Sequence, residues 1–155
     1  MKKIFVIIIF LLLSGCGKND EITNVSDEGN SDYYGYLIIP SISMNLGFYY
    51  YDDDKNNVNQ NVTLIKSNIE NTFILAAHSG HGYLAYFNDL RYLKVNDEII
   101  LKFKNQENHY RIKRIRNEIK DGSINILNEK NQVILTTCNQ VKKGYQLIVE
   151  ASLVK

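Results

Sequence analysis

Tryptophan is absent from the 155 residues, proline occurs once, and there are only nine glycines and two cysteines. So little proline and glycine excludes a collagen-like or proline-rich chain, and two cysteines exclude a small scaffold stapled by several disulfides. An excess of one charge is missing as well. The 18 basic side chains meet 17 acidic ones, so no field strong enough to recruit nucleic acid is present and no nucleic-acid partner is expected. What remains is 45% hydrophobic and 23% charged, the composition of one ordinary globular domain. There is no internal repeat and no low-complexity tract.

The N-terminus reads as an address. Met1, Lys2 and Lys3 form a basic lead, and Ile4 to Leu13 is an unbroken apolar run, too short to span a bilayer of about 30 Å as a helix. It ends in Leu13-Ser14-Gly15-Cys16, which resembles the bacterial lipobox. The expectation is a signal peptide over residues 1–15 and a lipidated Cys16 that anchors the chain to the membrane on its extracytoplasmic face. A short uncleaved N-terminal anchor is the alternative, and it leaves the domain on the same side. Cleavage removes Lys2 and Lys3 and tips the charge balance slightly acidic. Residues 16–32, polar and acidic, cannot bury enough surface to offset their ordering entropy, and are expected to be a tether.

From residue 33 to 155 short runs rich in Ile, Val, Leu, Tyr and Phe alternate with Asn-, Asp-, Gly- and Lys-rich breaks, the pattern of an all-β domain. Strands are expected at Gly35–Ile39, Leu46–Tyr51, Thr63–Lys66, Thr72–Ala77, Glu98–Phe103 and Glu107–Ile119, with two more near the end. One helix is expected within Tyr83–Leu93, where Leu84, Phe87 and Leu90 recur at helical spacing. Seven or eight short strands with so little helix point to a closed barrel or a sandwich.

Two late features carry chemistry. With Cys16 lipidated, Cys138 is the remaining thiol, and no disulfide is available to it. It ends the buried-strand run Gln132 to Cys138, where a loop opens. A free thiol in an exported chain is exposed to oxidation, which favours a nucleophile, although a small buried hydrophobe is the plainer alternative. Upstream, Thr72 to Ala77 runs into His78-Ser79-Gly80-His81-Gly82, placing an imidazole at a strand end. Cys138 and His78 are thus a candidate nucleophile and acid/base pair.

At this point the chain resembles the sortases, cysteine transpeptidases of the Gram-positive cell surface. Tyr36 to Ile42 with Gly35 in front is similar to the family's opening strand. Ala76-Ala77-His78-Ser79-Gly80 resembles its catalytic-histidine strand, Phe87 to Ile99 its following segment, and Leu135-Thr136-Thr137-Cys138 its catalytic-cysteine motif. The resemblance spans about Tyr33 to Val154. It implies an eight-stranded, closed β-barrel with one or two short helices and an active site at one end of the sheet. It also implies acyl transfer through a thioester on Cys138, without a cofactor. The donor would be the C-terminal sorting signal of a surface protein, of the Leu-Pro-x-Thr-Gly kind, and the acceptor an amine of a cell-wall precursor or a pilin. Thr137, beside the nucleophile, and His81, at the pocket mouth, are the expected substrate contacts.

One departure matters. The family's essential arginine precedes the last apolar strand, and the register of Leu147 to Leu153 puts Gln146 there. A glutamine can donate to a developing oxyanion but brings no charge. Lys142, Lys143, Arg114 or Arg116 could supply it, or the chain could be a catalytically impaired surface lipoprotein that binds peptide or a partner. Asn96 stands at the family's turn glycine, which Asn tolerates. No metal site is expected, because His78, His81 and His109 lack a second pair at ligand spacing. The Tyr33–Tyr51 aromatics are expected to pack, Glu107–Arg116 to be a half-solvated strand, and Asp52–Asp54 to be a turn.

Overall fold

The structure, a computed structural model, describes residues 32–154. The signal peptide, the Cys16 lipidation site and nearly all of the tether lie outside the described residues. Eight strands form one sheet: β1 (Gly35–Ile39), β2 (Met44–Phe48), β3 (Thr63–Ile65), β4 (Thr72–Ala76), β5 (Glu98–Phe103), β6 (Gln106–Ile119), β7 (Gln132–Cys138) and β8 (Tyr145–Leu153). Their order is β2-β1-β5-β6-β8-β7-β4-β3. The edges β2 and β3 approach through a single bridge between Phe48 and Val62. The eight strands thus form the expected mainly-β barrel, its two edges meeting at that bridge.

Inside the barrel lies the main core, with Leu37, Phe48, Leu75, Leu101, Ile112, Leu135 and Val149 among its buried members. β7 shows why its sequence does not alternate: Ile134, together with Ile74 and Ile148, faces the outside of the barrel, where Ile124 and Ile126 from the β6–β7 loop cover it. A strand buried on both faces reads as a continuous apolar run. Leu135 is fully buried, and Leu135→Ala is expected to cost about 2–5 kcal/mol in urea unfolding, the usual range for such a truncation. The aromatics near the start pack as expected, with Tyr34 edge-on to Phe48 and Phe103 at centroid distances of 6.1 and 5.4 Å.

The helix expected within Tyr83–Leu93 is instead a chain of turns ending in a 3₁₀ segment, Asn88–Tyr92. Phe87, Leu90 and Leu93 are the buried residues of this stretch, and their spacing of three is the 3₁₀ period. Gly80 and Gly82, at φ +124° and +119°, turn the chain just before it. Asn96 sits at φ +76°, as its place at a turn position required.

β6 bulges between Ile112 and Arg114, and beyond the bulge its outward side chains form an ionic cluster. Arg114 pairs with Glu150 through Nε and through Nη2 at 3.0 Å, and Arg116 reaches the same carboxylate at 2.9 Å as well as Glu118. Burial pushes the Glu150 carboxyl up, but the bonds from Arg114 and Arg116 outweigh it and hold the group below the ordinary carboxylate range. A carboxylate depressed in the folded state stabilises above its unfolded pKa, and that stability is lost as pH falls through the folded value. Glu150→Gln is therefore expected to cost about 1–3 kcal/mol at neutral pH. The cost shrinks as pH falls through the folded value, as urea midpoints at neutral and at acidic pH would report.

Candidate active site

β4 and β7 run parallel, in register from Thr72 beside Gln132 to Ala76 beside Thr136. Continuing that register by two residues places His78 beside Cys138 as both chains leave the sheet. Three cross-links hold the two ends together: Ala77 N–H donates to the Thr136 carbonyl at 3.4 Å, Thr137 Oγ1 to the Ala77 carbonyl at 2.8 Å, and Ser79 Oγ to the Cys138 carbonyl at 2.6 Å. On the other side of β7, Cys138 is paired with Gln146, and Gln146 in turn with Glu118. Paired residues share a face of the sheet, so Glu118, Gln146 and Cys138 make one row across three strand ends, with His78 two residues past the last β4–β7 pair.

The polar partners of this row are not all those the sequence suggests. Cys138 is partly exposed, and the Lys120 Nζ donates to its Sγ at 3.1 Å. Lys120 follows the last residue of β6, and its own N–H donates to the Gly144 carbonyl at 2.9 Å. Just beyond it, bonds from the Ser123 hydroxyl and N–H hold the Asp121 carboxyl below its ordinary range and pin the turn. The ammonium is a counter-charge for a thiolate, the form in which cysteine acts as a nucleophile. His78, which is exposed, has its Nε2 3.2 Å from Asn59 Oδ1. A ring nitrogen that donates to an amide oxygen leaves the other nitrogen free to exchange a proton.

Most of the expected stand-ins for the missing arginine are otherwise engaged, and Lys143 makes no recorded contact with the thiol. Gln146 is buried and its Nε2 donates to the Ser123 carbonyl at 2.6 Å, which ties down the β6–β7 loop. Arg114 and Arg116 belong to the Glu150 cluster, and Arg116 also donates to the Asn125 carbonyl. Lys142 lies over the Tyr145 ring at 3.5 Å. Among the described residues the cation in contact with the thiol is Lys120, which sequence reasoning missed. No motif marks it; only the β6–β8 register brings it there. Asn59, in an Asn-rich turn, carried no signal either.

Thr137 is buried and its hydroxyl is bonded to β4, on the opposite side of the strand from the thiol's row. His81 is exposed on the Gly80–Gly82 turn. Asn88 links the histidine loop to the cysteine loop. It accepts from Gly80 N–H at 2.7 Å and from Gln140 Nε2 at 2.5 Å, and donates to the Gly80 carbonyl at 3.1 Å. No three His, Cys, Asp or Glu side chains converge as metal ligands, and no helix is long and apolar enough to cross a membrane, among the described residues.

Comparison with known proteins gives one consistent picture. A family model of the sortase domain matches residues 37–154. Sortase C of Streptococcus pneumoniae superposes with a TM-score of 0.68 at 19% identity, covering 82% of this chain and 71% of that one. Sortase C1 of Streptococcus agalactiae gives 0.67 at 23%, covering 83% and 70%. A lid mutant of sortase A from Corynebacterium diphtheriae gives 0.67 at 19%, covering 84% and 74%. At these identities the structural matches speak for the fold. A search of curated proteins finds no match.

Proposed function

The chain belongs to the sortase family of cysteine transpeptidases, and from that premise we propose that it is an acyl-transfer enzyme with Cys138 as nucleophile and His78 as acid/base. The observation that carries the reading is the thiol at the end of β7, 3.1 Å from an ammonium, with His78 leaving the neighbouring parallel strand two residues past the last β4–β7 pair.

In the first half-reaction the Cys138 thiolate adds to a backbone carbonyl carbon of a surface protein's sorting signal. The C–N bond breaks, His78 gives its proton to the leaving amine, and a thioester remains. In the second, an amine of a cell-wall precursor or a pilin adds to the thioester, His78 takes its proton, and the thiolate leaves with the new amide formed. Lys120, the positioned cation, offsets the negative charge that resides first on sulfur and then on the carbonyl oxygen. No step calls for a cofactor. The site works at the extracytoplasmic face of the membrane, held there through lipid on Cys16.

Incubating the full chain with a Leu-Pro-x-Thr-Gly peptide and an amine acceptor tests this reading. A ligated product that is absent with Cys138→Ala is the expected result. The second reading, a binding protein that has lost catalysis, is favoured by the engagement of Gln146 with Ser123. Under it the peptide binds and stays intact.

A further inference from the structure

Cys138 also borders a cavity of about 430 Å³ on the side of β7 that Thr137, Ile115 and Leu147 face. Its polar rim consists of Asn88, Arg91, Asn117, Asn139, Gln140 and Lys142. That is four amides and two cations. No carboxylate lines it, and neither Arg91 nor Lys142 is in an ion pair among the described residues.

Arg91 is held in place. Its Nη1 donates to Gln140 Oε1 at 2.9 Å and its Nη2 to the Tyr92 hydroxyl at 2.8 Å, with the guanidinium 4.7 Å from the Tyr92 ring centroid. Gln140 is fixed in turn by Asn88. A guanidinium immobilised before its ligand arrives loses little entropy on binding, and its remaining N–H groups suit a carboxylate. Glu118 and Glu150 lie on the opposite face of the sheet, bonded to Arg114 and Arg116, and neither Asp89, in the 3₁₀ segment that carries Arg91, nor Asp121, beside Lys120, lines the cavity.

We propose that this cavity is an anion-accepting subsite, and that the substrate entering through it carries a carboxylate a few atoms from the group that meets Cys138. The proposal rests on the reading of Cys138 as the reacting group and adds the charge class of what reaches it from this side. An amine acceptor bearing a nearby carboxylate fits; a purely cationic one does not, because two cations stand at the rim.

Iodoacetate and iodoacetamide, nearly equal in size and different in charge, test it on the full chain, with alkylation read at Cys138 by peptide mass. The ratio of the iodoacetate to the iodoacetamide rate is expected to fall by about three- to tenfold in the Arg91→Gln/Lys142→Gln double variant, and likewise at high salt. The same fall is expected in a Lys120→Gln background, since Lys120 approaches the thiol from elsewhere. N-acetylglycine is expected to slow labelling by iodoacetamide more than methyl phosphate does; the reverse order overturns the carboxylate assignment. A reactive Cys138 whose ratio is the same in wild type and double variant overturns the subsite and leaves the nucleophile reading intact. A Cys138 no more reactive with either reagent than in the urea-unfolded chain overturns both.

Discussion

His78→Ala is expected to lower the rate of acyl transfer by about 10²–10⁴, the range a positioned acid/base supplies. In the proposed mechanism the group serves twice, protonating the leaving amine and then deprotonating the incoming one, so both half-reactions are expected to slow. Little of this loss comes from folding. His78 is exposed and its recorded partner is Asn59, and surface substitutions of this kind usually change stability by no more than about 0.5 kcal/mol. Urea midpoints should therefore match wild type while product formation collapses. A variant that keeps wild-type rates would remove His78 from the mechanism.

Lys120→Gln is expected to cost about 10²–10³ in rate, the loss associated with one preorganised donor at an oxyanion. The family's arginine position holds Gln146, whose amide is bonded to Ser123 and brings no charge. Lys120 is then the cation at the thiol, 3.1 Å from Sγ. The diagnostic variant is the double one. Gln146 is paired directly with Cys138 across β7 and β8, so Gln146→Arg introduced into the Lys120→Gln chain is expected to recover much of the lost rate. A merely structural lysine would give no such rescue, and Lys120→Gln with full activity would leave the site without a catalytic cation.

Most of the barrel was legible in the sequence because apolar runs separated by turn residues define strands locally. Gly35–Ile39 and Glu98–Phe103 were placed to the residue. Errors fell where tertiary context decides. β2 begins at Met44 and ends at Phe48, two to three residues earlier than its hydrophobicity suggests, because it is paired with β1 in the register Ile39 to Met44. The stretch Tyr83–Leu93 carries apolar spacing compatible with a helix, yet the Gly80–Asn88 bonds tighten it into turns. At the candidate site, Cys138 and His78 stand out in the sequence as candidates because each follows an apolar strand run. Lys120 does not, since it lies 18 residues from Cys138 in sequence and meets it only through the β6–β8 pairing. The same holds for Asn59, 19 residues from His78. Side chains that act through long-range register leave no local pattern.

The thioester is tested most directly by the mass of the full chain after brief incubation with a Leu-Pro-x-Thr-Gly peptide and an acid quench, without an acceptor amine. A covalent adduct of the peptide's N-terminal fragment on Cys138, released by hydroxylamine as a thioester should be and missing in Cys138→Ala, is the expected result. A chain that stays unmodified while the peptide remains uncut would contradict it.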